Sequence, residues 1–140
     1  MKAGATVNDE FELITAFFAP TKRERYLEMV GKPKTRKKFL RELSHFKALD
    51  PRYCFAIPRA EHTAGQIAAF LVRKGAPATC WITSEDSDLD GREMPLAQAL
   101  QGVVGRQMGT FLSCLPGKLA YFEDEEDRWI LERRDRITSS

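Results

Sequence analysis

Residues 79–122 read TCWITSEDSDLDGREMPLAQALQGVVGRQMGTFLSCLPGKLAYF, and the way this stretch divides decides the fold. The run Cys80-Trp81-Ile82-Thr83 is aromatic and β-branched, the composition of a strand. It gives way to an acidic loop over 84–91. Pro95 suits the first turn of a helix, where its missing N–H costs nothing, and an amphipathic segment follows to residue 104. Gly102, Gly105 and Gly109 break that segment off. Two further apolar runs, 110–115 and 119–122, flank the turn Pro116-Gly117-Lys118. The order is strand, loop, helix, strand, turn, strand. It supplies the middle of a sheet and a loop with concentrated carboxylates.

The rest of the chain is read outward from there. A helix is expected over about 9–19, with Asn8 as N-cap and Pro20 as stop. Two more follow over about 22–30 and 35–46, with Tyr26, Leu27, Val30, Phe39, Leu40, Leu43 and Phe46 turned inward. Residues 53–57 read as a short strand ended by Pro58. Thr63 caps a fourth helix over 64–74, closed by Gly75. Residues 128–132 alternate as a last strand, and 133–140 read as a solvated tail. The fold class expected is α+β. Three N-terminal helices precede a mixed sheet of four or five strands with packed helices, parallel where strand–helix–strand units occur. All 140 residues form one domain in this reading, with 8–47 its helical part and 53–133 its sheet part.

Composition narrows the class. An apolar share of 43% supports a core. No run of about 18 apolar residues is present, so no membrane partner is expected. There is no signal-peptide pattern, and three cysteines lack metal spacing, so the expectation is a cytoplasmic protein with reduced thiols. The net charge of +2 hides a polarity. Residues 21–47 hold ten Lys and Arg against three Glu, whereas 84–140 hold twelve acids against seven bases. Such a split points to a charged partner, or to two parts of one fold that attract each other.

Four groups of residues carry candidate chemistry. Asp86, Asp88, Asp90 and Gly91 follow the pattern D-x-D-x-D-G, in which alternate carboxylates converge on one hard cation and glycine permits the sharp turn. Over these six residues the loop resembles the first half of an EF-hand. Beyond them it departs, with Glu93 at the eighth position and Ala97 at the twelfth. The resemblance implies Ca2+ or Mg2+ at Asp86, Asp88 and Asp90, completed by Glu85 or Glu93. Apart from such an ion no cofactor is expected. The same acids would serve an enzyme only with a base and a phosphate-binding group in reach. The glycines at 102, 105 and 109 with Arg106 offer backbone N–H groups to an anion. Cys54, Cys80 and Cys114 would need His45 or His62 beside them for nucleophilic work, and no signature surrounds them.

The basic helices hold Arg36, Lys37, Lys38 and Arg41, enough for phosphate contacts but without exposed aromatic residues for stacking. The acidic run 123–127 keeps a hairpin soluble and would present a negative face to a basic protein. Together these features point to a small regulatory or inhibitory binding protein without catalysis, whose partner is another protein. A nucleic-acid-associated protein using the basic segment 21–47 is the alternative. A divalent-metal-binding protein or metal-dependent enzyme using residues 85–93 is the second alternative.

Overall fold

The computed structural model describes residues 2–58 and 63–133, with only the backbone of residues 2–8. The helices are α1 (Lys2–Phe17), α2 (Arg23–Val30), α3 (Pro33–Arg41), α4 (Ala64–Arg73) and α5 (Leu96–Val103). The strands are β1 (Cys54–Ala56), β2 (Thr79–Ser84), β3 (Glu93–Pro95), β4 (Thr110–Leu115), β5 (Leu119–Glu123) and β6 (Arg128–Glu132). They form one sheet in the order β1-β6-β5-β4-β2-β3.

The α+β class holds, with two corrections to the sheet. Among the described residues it has six strands rather than four or five, and every neighbouring pair is antiparallel. The strand–helix–strand units do return the chain in the same direction. They skip strands, however: β2 lies between β3 and β4, and three strands separate β1 from β2. Among the described residues no parallel pair is therefore hydrogen-bonded. The extra strand is β3, whose residues read as loop and helix start; Cys80 lies opposite Met94 and Trp81 opposite Glu93. Pro95 is tolerated there because β3 is an edge, where a missing N–H breaks no ladder.

The N-terminal helices also differ in detail. α1 begins at Lys2 rather than near Asp9 and ends at Phe17, where Phe18 makes a single bridge to Leu49. α3 stops at Arg41, and Leu43–His45 forms a 3-10 turn in place of a last helical turn. The expected cap on α4 is present. The Gln66 N–H donates to Thr63 Oγ1 at 3.1 Å and Gln66 Oε1 accepts from the Thr63 N–H at 3.3 Å. The expected tail beyond Arg133 and the residue His62 lie outside the described residues.

The sheet has helices on both faces. On one, α1, α2 and α3 bring Leu13, Phe17, Phe18, Tyr26 and Phe39 onto Phe111, Ala120, Phe122 and Leu131. On the other, α4 and α5 bring Ile67, Leu71, Leu100 and Val103 onto Ile82, Leu112, Tyr121 and Ile130. Alternation along each strand sorts side chains between the two cores. Because β4 and β5 are covered on both sides, they read as nearly continuous apolar runs. The first core is aromatic. Phe18 is fully buried, with ring centroids of Tyr26, Phe46 and Phe111 at 5.3, 4.9 and 5.8 Å. Each such pair contributes about 1 kcal/mol beyond area burial.

One backbone contact ties the helical part to the sheet. A Cβ on Gly109, just before β4, would overlap the backbone carbonyl carbon and the Cβ of Leu43. Neither can move aside without shifting the 3-10 turn. Gly109→Ala is therefore expected to destabilise the protein by about 3 kcal/mol, read as a lower urea midpoint. The control Gly65→Ala, where nothing lies within 4 Å, should leave the midpoint level or raise it.

Candidate functional site

Arg36 of α3 is the meeting point of the charged residues. Its Nε and Nη2 donate to the Glu10 carboxylate of α1 at 2.9 and 2.8 Å. Its Nη1 and Nη2 donate to Asp90 at 2.7 and 2.9 Å. Glu10 is buried and also accepts from Thr83 Oγ1 of β2 at 2.7 Å. Asp90 accepts from the Ser84 N–H at 3.0 Å. One planar guanidinium thus joins α1, α3, β2 and the acidic loop, a geometry that Lys cannot reproduce. Its hydrogen bonds to Glu10 raise the Arg36 pKa, with burial opposing and Asp90 adding to the rise.

Three carboxylates of the acidic loop, those of Glu85, Asp86 and Asp90, are held by groups of the protein itself. Asp90 faces Arg36. Asp86 Oδ1 accepts from the Asp88 N–H at 2.9 Å, and the Asp86 N–H donates to Ser84 Oγ. Glu85 Oε2 accepts from the Gly109 N–H at 2.7 Å while the Glu85 N–H donates to the Gly109 carbonyl. Asp88 is exposed, and Glu93 lies on the edge strand β3. Among the described residues no three of His, Cys, Asp and Glu come together as a metal ion would require.

The glycine-rich exit from α5 does hold an anion, and the anion is internal. The Glu123 carboxylate is fully buried. It accepts from the N–H of Gly105 at 3.0 Å, the N–H of Gln107 at 2.7 Å and the Tyr121 hydroxyl at 2.8 Å, with Arg128 Nε at 3.6 Å. Gly105 and Gln107 both adopt positive φ to aim these donors. Burial, then the Glu123 charge, pushes the Tyr121 phenol well above its ordinary value. In the run 123–127, Asp124 is also buried and accepts from the N–H groups of Glu126 and Asp127. The exposed Glu125 and Glu126 lie 3.5 Å from His45 and 3.7 Å from Lys47.

Other acids serve the frame. Asp50 is buried beneath Arg52, whose Nη2 is 2.7 Å from Asp50 Oδ2, and this pairing holds its carboxyl below the usual range. The thiols are poor nucleophiles. Burial pushes Cys54 up to about 11 and Cys80 up to about 12, and Cys114 rises further in the same direction. His45 is exposed and faces Glu125.

Of the basic residues singled out, Arg36 is engaged inside the protein, whereas Lys37, Lys38 and Arg41 are exposed. Lys34 joins them, and the four fall at i, i+3, i+4 and i+7 on one face of α3. Beside this ridge lies a cleft of about 500 Å3 between α3 and the acidic loop, lined among others by Val30, Pro33, Leu40, Glu85 and Ser87. The sequence groups Arg36 with the other cations of this segment, but the structure sets it on a different face of α3. The helical spacing of Leu40 and Phe39, next to Arg36 on the inner side, was the available signal. Comparison with known proteins finds no family model, no curated protein and no solved structure that matches the chain.

Two outcomes are expected. Arg36→Met leaves Glu10 and Asp90 facing each other without a cation and should cost about 3 kcal/mol in urea unfolding. Adding Glu10→Gln and Asp90→Asn should recover part of the loss. With the protein folded, Ellman's reagent should react slowly with Cys54 and Cys80 at pH 8. The rate should rise as pH approaches 11, where the Cys54 thiolate forms, and all three thiols should react at once in denaturant.

Proposed function

We propose that the protein acts by binding rather than by chemistry of its own, and that α3 presents its cationic ridge to an acidic surface of a partner protein. The observation that carries this reading is the exposed stripe Lys34, Lys37, Lys38 and Arg41 on a helix whose opposite side is anchored by Phe39 and Arg36. The stripe spans about 10 Å along the axis. A fixed row of like charges speeds encounter with an opposite field and selects against other partners. The adjoining cleft, walled by Val30, Pro33 and Leu40, offers room for a partner side chain, which favours a protein over a phosphate backbone. The charged residues elsewhere support a binding role as well, because Glu10, Asp50, Asp90 and Glu123 are all turned to structural contacts.

Nucleic acid is the second reading, favoured by the spacing of Lys37, Lys38 and Arg41 alone. It would be contact with phosphates only, since Tyr26, Phe39 and Phe46 are buried and no base can stack on them. The metal reading of Asp86, Asp88 and Asp90 would require Asp90 to leave Arg36.

A photo-cross-linker placed at Lys38, used in an extract of the source cells, tests the proposal. The expected product is one protein, retained after nuclease treatment. It should bind the purified chain one-to-one, with an association rate about tenfold lower for Lys34→Glu/Lys37→Glu/Arg41→Glu. Unchanged binding by that variant would remove the ridge from the interface. Capture of nuclease-sensitive material, with affinity falling steeply in salt, would replace the partner by nucleic acid.

A further inference from the structure

α3 turns two adjoining stripes to its surroundings. Pro33, Arg36, Lys37 and Leu40, at i, i+3, i+4 and i+7, line the cleft of about 500 Å3 beside the acidic loop. One residue further on, Lys34, Lys37, Lys38 and Arg41 form the exposed cationic ridge. Lys37 belongs to both stripes, so cleft and ridge run side by side at a fixed phase. Among the described residues none of the four ridge cations is paired with a carboxylate.

Apart from Lys37, the charged lining of the cleft is already engaged. Arg36 Nη2 lies 2.8 Å from Glu10 and its Nη1 lies 2.7 Å from Asp90. Glu85 Oε2 accepts from the Gly109 N–H at 2.7 Å. A charged side chain reaching past Lys37 would lose water and gain no ion partner. An aliphatic side chain loses nothing there and lies against Val30, Pro33 and Leu40. The far side of the cleft then fixes the order of the stripes. Asp88 is exposed on the acidic loop, so a partner's acids are repelled there and drawn over α3. The complementary surface is acidic over the ridge, aliphatic over the cleft and free of acids over the loop.

The spacing of the ridge selects the partner's secondary structure. Successive cations along it stand about 5 Å apart, at about 1.5 Å of rise per residue. Acids at i, i+3 or i+4 and i+7 of a helix repeat at that same interval. Acids on one face of a strand repeat at about 7 Å and fall out of step. We propose that ridge and cleft together form a groove for one amphipathic helix of the partner protein, with acids on one stripe and an aliphatic anchor on the next. This rests on the binding role argued above and names the element that is bound.

The test is a display selection with the full chain as target and a library of unconstrained peptides of about 16 random residues, enough for about four helical turns. The selected peptides are expected to carry Asp or Glu at helical spacing and a Leu, Ile or Met on the adjoining stripe. They should become helical on binding, read by circular dichroism. Moving the apolar residue to the opposite stripe should weaken binding about tenfold or more. Ser87→Phe, which fills the cleft from an exposed position, should weaken binding to a similar degree through faster dissociation. Lys34→Glu/Lys37→Glu/Arg41→Glu should slow association instead. The control Val72→Ser, exposed on α4, should change neither rate. An empty selection, peptides without acids, peptides bound as extended chains, or full binding by Ser87→Phe would overturn the proposal. Loss of binding in the ridge variant with full binding by Ser87→Phe would remove the helix and its anchor while the ridge kept its acidic partner.

Discussion

The fork of hydrogen bonds from Arg36 is the interaction on which the arrangement of layers depends. Apolar packing alone would hold α1, α2 and α3 near the sheet, but packing is permissive about angle and register. A guanidinium shared by Glu10 and Asp90, with Thr83 and Ser84 behind them, sets the helices at one position relative to β2. The aromatic core around Phe18 then fills the space so defined. The close approach of Gly109 to Leu43 follows from the same placement, since it needs the 3-10 turn after α3 to lie against the start of β4.

The same interaction explains why charge was a poor guide to the working surface. Counting along the chain separates a basic segment from an acidic one. In the folded protein, part of that contrast is consumed where Arg36 meets Asp90 and where His45 and Lys47 meet Glu125 and Glu126. What remains outside is a narrower feature, one face of one helix. The acidic residues behave likewise. Glu123 and Asp124, which read as the tip of a solvated hairpin, are buried and organise backbone N–H groups.

Much of the architecture was legible in the chain. The α4 cap at Thr63, the runs that became β2, β4 and β5, and the inner faces of α2 and α3 follow from local pattern, because each depends on neighbours in sequence. Strand order did not follow, since β3 is three residues long and its pairing with Cys80 and Trp81 leaves no periodic trace. The site was legible in composition and not in geometry. Asp86, Asp88 and Asp90 have the spacing of a cation loop, but Asp90 is drawn away by an arginine 54 residues earlier, a partner that no local motif encodes. The N–H groups near Gly105 were recognisable as an anion cradle, whereas Glu123 as its occupant required the sheet to bring them together.

The strand order also governs how the chain reaches this structure. β1 is complete by Ala56, yet its neighbour in the sheet is β6, which begins at Arg128. Arg133 Nη1 likewise donates to the Ala16 carbonyl across 117 residues. During synthesis the N-terminal helices and β1 therefore emerge long before the strands they rest on. Closure of the sheet is a late, non-local event, and topologies of this kind fold slowly compared with helical bundles. Until β6 arrives, the Phe18 aromatic cluster lacks Leu131 and the edge of β5 stands open. The growing chain spends that interval as a helical segment with its apolar face uncovered, the state in which a partner that shields it has most effect on yield.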